Sequence, residues 1–273
     1  EVDVLGRPLS RTLVEAPHSG HNVTLALDAR LQHAVMDAMG DYSGCVVVMD
    51  PDTGKLLALV TKPSYDNNLF IGGLSQKDWD ALRNDPRFPL QTRAIQSIYP
   101  PGSVWKLMMA GMLLEHGIEP SEKVFCPGTY TLGNHTFRCW RRWGHGQVDM
   151  AQSLIWSCDV YYYTMGEKLG IDNIEAFAKA CGYGRTTGID LPHENSGLVP
   201  SRAWKLRRFN EPWQGGETVN VSIGQGHTLV TPLQTAVFLA SLINGGDLLK
   251  PQLLDDAPRE SKGKSPISAA PRE

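Results

Sequence analysis

The 273-residue chain lacks any uninterrupted apolar run approaching the roughly 20 residues that a membrane-crossing helix needs. Its opening Glu1-Val2-Asp3 lacks the basic and apolar regions of a secretory signal, so either the protein is cytosolic or an anchor lies outside this sequence. Net charge is also small. With 26 Lys and Arg against 29 Asp and Glu, the balance of −3 gives no global reason to expect a nucleic acid or an anionic membrane as partner, and leaves room only for local patches. Cysteine is scarce at five residues, which rules out a disulfide-dense scaffold in a chain this long. What remains is ordinary globular material, 41% hydrophobic and 20% charged, enough to bury a proper core in one large domain with a small appendage.

Residues 1–21 are polar, with Pro8, Pro17 and Gly20, and read as an extended connector entering from something N-terminal to them. Asn22 to Leu27 alternates as a short strand, and Asp28 caps a helix whose face is Leu31, Ala34, Val35, Ala38 and Met39. A hairpin follows, Cys45–Asp50 and Lys55–Thr61 around Pro51-Asp52-Thr53-Gly54, with strands apolar enough to expect helices on both faces. Residues 62–101 are mostly irregular, with one short helix from Ser75 to Arg83. Helical spacing returns over Ser103–His116, Asp149–Trp156, Val160–Leu169, Asn173–Cys181 and from Pro232 to Asn244, where Thr231-Pro232 is an N-cap followed by proline at the first helical position. The stretch from Cys126 to Gly146 reads as irregular, the basic run Arg202, Lys205, Arg207, Arg208 as a solvated loop, Thr218–Gly226 as a small-residue loop, and 255–273 as a disordered or late-docking polar tail. Cys45 and Cys181 fall at core positions and read as packing thiols.

Chemistry concentrates at Tyr99-Pro100-Pro101-Gly102-Ser103-Val104-Trp105-Lys106, where a Pro/Gly turn runs into a helix with Ser103 at its mouth and Lys106 about one turn on. A buried lysine beside a serine can take its proton and make it a nucleophile, although a helix-capping serine and a solvated lysine are the commoner meaning of those residue types. Ser157-Cys158-Asp159, at the junction of two helical patterns, offers a hydroxyl and a carboxylate that could relay a proton and orient Lys106. A third set, Cys126, Cys139, His145 and Cys158, has the spacing C-x12-C-x5-H-x12-C. Three thiols and an imidazole make a closed structural zinc set; a Cys126–Cys139 disulfide or simple core thiols are the alternatives.

Taken together and in order, Pro100-Pro101-Gly102-Ser103-Val104-Trp105-Lys106, Trp143-Gly144-His145-Gly146, Ser157-Cys158-Asp159 before Tyr161-Tyr162-Tyr163, Gly182-Tyr183-Gly184, Thr187-Gly188-Ile189-Asp190-Leu191, and Gly224-Gln225-Gly226 with Thr231-Pro232-Leu233-Gln234 resemble the class B penicillin-binding proteins, nearest to their elongation-specific members. The likeness runs from about Asn22 to about Pro251. It implies an α+β penicillin-binding/serine β-lactamase-like fold, an antiparallel sheet flanked by helices with a helical subdomain, over residues 22–254. The implied activity is peptidoglycan D,D-transpeptidation. Ser103 would attack the penultimate D-Ala carbonyl of a stem peptide, Lys106 would be general base, Ser157 would shuttle the proton, Asp159 would stand where many relatives have Asn, and the Ser103 amide would serve the oxyanion. β-Lactams would acylate the same serine. A metal at the Cys/His set, a membrane glycosyltransferase partner and a place on the periplasmic face of the bacterial inner membrane are likewise implied. One departure stands out. The family's Lys-Ser/Thr-Gly motif is missing, and Ser261-Lys262-Gly263 is not that pattern. Either the sequence is part of a longer chain, incomplete at its C-terminal end and inactive as it stands, or it is a non-catalytic or β-lactam-sensing relative.

Overall fold

The computed structural model describes residues 3–5, 7 and 19–267. Most of the connector expected over 1–21, and the last six residues of the polar tail, lie outside the described residues. Asp28 caps α1 (Ala29–Ala38) by accepting from the amides of Arg30 and Leu31. Of the strand expected just before it, only Leu25 pairs, in a lone bridge to Leu254, because the chain turns into the helix cap within three residues. The hairpin forms as expected: β1 (Gly44–Met49) runs antiparallel to β2 (Leu56–Lys62) with Val46 opposite Val60. Along β2, buried Leu56, Ala58 and Val60 alternate with half-covered neighbours. The opposite strand face is incompletely sealed, by α1, whose Gln32 amide both donates to and accepts from the Leu59 backbone.

Ser75 caps α2 (Gln76–Asn84), and a single turn, α3 (Arg93–Gln96), brings Ala94 and Ile95 under the hairpin. The central element is α4 (Trp105–Glu115). Eight of its eleven residues are buried, Trp105, Lys106, Met108, Met109, Ala110, Gly111, Met112 and Leu113, the mark of a helix packed on all sides. The region from Cys126 to Gly146, expected to be irregular, instead holds four short strands: β3 (Val124–Cys126) pairs with β6 (Gly146–Val148), and β4 (Thr129–Leu132) with β5 (His135–Arg138). Strands of three or four residues are too short to leave a periodic signature. Helix α5 (Met150–Ile155) opens with an Asp149/Gln152 capping box, and α6 (Asp159–Ala180) joins the two helices expected there through a break at Gly170, φ 80.

Two loops proved to be helices. The basic run is α7 (Arg202–Phe209), and its Lys205 is buried against Glu217 at 2.7 Å rather than solvated. Helix α8 (Gly215–Ser222) occupies the expected small-residue loop. Glycines and β-branched residues disfavour a helix there, but burial of Thr218, Val219, Val221 and Ser222 and a Gln214/Glu217 capping box outweigh local propensity. Helix α9 (Pro232–Ser241) has its predicted Thr231 cap and first-turn proline. After it, β7 (Asp247–Leu249) pairs with β8 (Ser261–Lys264), so the tail expected to be disordered is docked as far as residue 267, where Ile267 fills the space above Gly111 of α4. Its polar side chains form ion pairs: Arg259 bonds Asp247, and Lys262 bonds Glu260 at 2.8 Å.

The main core joins α4 to Tyr161, Tyr162 and Met165 of α6, Val219 and Val221 of α8 and Phe238 of α9. Helices α6 and α8 approach closely at Gly166, where an added Cβ would lie 2.4 Å from that of Ser222. Gly166→Ala should therefore destabilise the domain by about 1–3 kcal/mol despite alanine's better helix propensity, read as a lower urea midpoint with unchanged slope.

Candidate active site

Ser103 lies in a tight 3₁₀ turn, Gly102–Val104, immediately before α4, which starts two residues later than expected. The turn is braced from the other side. Gly102 has φ 54 and its amide donates to the Gly224 carbonyl at 3.0 Å, and a Cβ on Gly224 would fall 2.6 Å from the Gly102 oxygen. These two positions need glycine, which is why the Pro-Pro-Gly and Gly-Gln-Gly stretches face each other.

One turn on, Lys106 is only 1% exposed, and its ammonium is fully engaged. It donates to Asp159 Oδ1 at 2.6 Å, to the Ser157 carbonyl at 2.9 Å and to Ser157 Oγ at 3.0 Å. Ser103 Oγ in turn bonds Ser157 Oγ at 2.7 Å. The order Ser103, Ser157, Lys106, Asp159 differs from the direct Ser103–Lys106 reach that spacing suggests, because the ammonium is drawn to the carboxylate and the Ser157 hydroxyl fills the gap. All four expected catalytic side chains thus meet in one hydrogen-bonded line. Ser157 adopts a left-handed backbone, φ 49, unusual for a residue with a side chain. The line opens into a cleft of about 420 Å³ walled by Gly102, Ser103, Trp140, Ser157, Asp159, Ile223 and Gln225.

Trp140 is the residue the sequence reading missed. Its amide donates to Asp159 Oδ2 at 3.0 Å, and its indole donates to the carbonyls of Trp156 at 2.9 Å and Ser157 at 3.1 Å. The only signal for it was its place directly after Cys139 in an aromatic-rich stretch.

The Cys/His set also converges. One donor atom from each of Cys126, Cys139, His145 and Cys158 lies within 4.8 Å of the others, and His145 Nδ1 is 3.6 Å from both Cys126 and Cys139 Sγ. Ligands at the usual Zn–S and Zn–N lengths around a tetrahedron are separated by about 3.6 Å, so the donors present fit that ion in type, number and spacing. The thiols are free rather than joined as the Cys126–Cys139 disulfide. A hydrogen bond from Cys158, and amides of Arg141, Asp159 and Val160, lower the Cys139 thiol to about 5, whereas Cys158, which gives that bond and is buried, is raised. Such a set releases protons on meeting a cation. Cys181, buried at the end of α6, is raised to about 12 by burial and takes no part. Cys45 is half-buried in β1.

Comparison with known proteins identifies the family. The family described as Penicillin binding protein transpeptidase domain matches residues 44–270. The chain belongs to that family. This transpeptidase domain is 41% identical over 265 residues to the Escherichia coli K12 peptidoglycan D,D-transpeptidase MrdA, covering 96% of this chain and 42% of MrdA. Its fold is similar to PBP2 of Pseudomonas aeruginosa, solved with WCK 5153, at TM-score 0.84 and 38% identity over 92% of this chain and 56% of that one. It is also similar to Helicobacter pylori PBP2 solved with MreC, at TM-score 0.86 and 34% identity over 96% of this chain and 49% of that one. The chain thus spans under half the length of MrdA. Among the described residues no helix is long and apolar enough to cross a membrane. In this penicillin-binding domain Ser261-Lys262-Gly263 lies in β8 and lines no part of the cleft; Lys262 instead covers Gly188.

The ion pair sets an expectation for stability. Asp159→Ala leaves the Lys106 ammonium buried without its carboxylate and should cost about 3 kcal/mol. Asp159→Asn, which retains an acceptor, should cost less. Denaturant unfolding of the two variants side by side checks the order.

Proposed function

We propose that this domain carries the acyl-transfer site of a peptidoglycan D,D-transpeptidase of cell elongation. The single observation that carries the reading is the hydrogen-bonded line from Ser103 Oγ through Ser157 Oγ to Lys106 Nζ. Substrate is a stem peptide ending in D-Ala-D-Ala. Lys106 in its neutral form takes the Ser103 proton by way of the Ser157 hydroxyl, and Ser103 Oγ forms a bond to the penultimate D-Ala carbonyl carbon. The Ser103 amide, at the mouth of α4, stabilises the oxyanion. Collapse breaks the C–N bond, and the proton held at Lys106 returns through Ser157 to the departing D-Ala amine. An amine of a neighbouring stem then attacks the ester, its proton leaves along the same line, and Ser103 is freed as the cross-link forms.

Asp159 offsets the positive charge that Lys106 carries between the two proton transfers. A β-lactam presents a strained amide to the same serine and stays attached. A β-lactam-sensing or non-catalytic relative is the alternative reading of the same site. Cross-linking requires nascent glycan strands, which supports a membrane glycosyltransferase as partner and the periplasmic face of the inner membrane as location, with an N-terminal anchor. The H. pylori relative's complex with MreC supports assembly into the elongation machinery.

Labelling with a fluorescent penicillin decides between the readings. Wild-type protein extended through a Lys-Thr-Gly strand should label and Ser103→Ala should not; absence of label in the extended wild type would sink the catalytic reading.

The same reading includes zinc at Cys126, Cys139, His145 Nδ1 and Cys158. Bound there, the ion would serve as a closed structural crosslink with no open position for substrate. The protein side chains would do the rest, Cys158 anchoring the residue between Ser157 and Asp159. Elemental analysis of protein purified without added metal should give about one zinc per chain, falling sharply in Cys139→Ser; a value near zero in the wild type would remove the site.

A further inference from the structure

We propose that Trp140 is a positioning residue for the catalytic lysine, its amide and indole together fixing the two groups that grip the Lys106 ammonium. The proposal rests on the acyl-transfer reading above. Lys106 is held by Asp159 and by Ser157, and Trp140 touches both holders. Its backbone amide takes Asp159 Oδ2 at 3.0 Å, which fixes the carboxylate plane and leaves Oδ1 aimed at the ammonium 2.6 Å away. Its indole N–H is shared by the carbonyls of Trp156 at 2.9 Å and Ser157 at 3.1 Å, and the Ser157 carbonyl also receives Lys106 at 2.9 Å.

Helix α5 ends at Ile155 with Trp156 as its C-cap, so the Trp156 carbonyl is among the terminal acceptors that a helix leaves without partners. Here a tryptophan from another segment supplies the cap. The same indole also bonds the carbonyl of Ser157, whose backbone at φ 49 is in a conformation that persists only where its surroundings hold it. Without the indole the turn is free to relax, and the Ser157 hydroxyl, which links nucleophile to base, moves with it.

The exposure of the residue is itself informative. Trp140 is 66% exposed, yet all its polar atoms with donor hydrogens are used. Trp143, three residues along the same loop and 90% exposed, makes no such bonds. Trp140 is also attached to the Cys/His set twice, covalently through Cys139 and by an edge contact of its ring with His145 at 5.4 Å. The cluster and the lysine clamp therefore share one residue: its backbone joins Cys139 to Asp159, and its ring joins His145 to the Ser157 carbonyl.

The rival role for an exposed tryptophan on a cleft is a stacking wall for ligand. Trp140→Phe separates the two, since it keeps a ring and removes the indole donor. In penicillin acylation by the full chain, the rate constant of the acylation step should fall about tenfold, while the preceding dissociation constant stays within about twofold. Trp143→Phe should change neither. Weaker binding with an unchanged acylation step in Trp140→Phe, or an equal loss in Trp143→Phe, would overturn the proposal. Indole proton exchange followed by NMR on the wild-type protein tests the clamp without any activity: the Trp140 signal should exchange about tenfold or more slowly relative to Trp143, and equal rates would overturn it. Failure of the wild type to acylate counts against the acyl-transfer reading, whereas the exchange rates still decide the clamp.

Discussion

A lysine ammonium taken out of water is the constraint on which this domain turns. Lys106, 1% exposed, sits in a helix with eight of its eleven residues buried, among Trp105, Met108 and Tyr162. An isolated ammonium there carries a large desolvation penalty. The fold meets it with three acceptors from one short segment, Ser157 carbonyl and hydroxyl and the Asp159 carboxylate. Every other feature of the site follows from delivering that segment to that point.

Delivery needs a sharp corner between α5 and α6, and the corner is supported from outside the two helices. Trp140 caps it from above, and Cys158, which lies inside it, converges with Cys126, Cys139 and His145. On the far side the nucleophile turn leans on Gly224, where only a glycine permits the backbones to approach. The cleft is thus bounded by three loops, each tied to a rigid neighbour, while its chemistry is lodged at the end of a helix that cannot shift without disturbing the core.

Much of this was readable in residue order. Ser103 and Lys106 were recognisable because a Pro-Pro-Gly turn can only stop one element and start another, and Asp28 and Thr231 announced helix starts through capping chemistry that acts within four residues. The Cys/His set was legible as donors of the right kind. Elements that depend on distant partners were hidden. Helix α8 is made of glycines and β-branched residues that favour other conformations alone, and it exists because α6 receives it. The tail looked disordered because its strand is polar, and it is ordered by ion pairs to Asp247 and by Ile267 reaching Gly111.

The amino-acid order by itself determined the cast: a serine at a turn, a lysine one helical turn later, a Ser-x-Asp corner and four metal-type donors, all set by local chemistry over a few residues. Only the tertiary structure decided how they connect. Spacing along α4 would join Lys106 to Ser103, but burial sends the ammonium to the nearest carboxylate, fifty-three residues away in the chain, and inserts the Ser157 hydroxyl between base and nucleophile. That choice is electrostatic and depends on which groups share a low-dielectric space, information that exists only once the helices have packed.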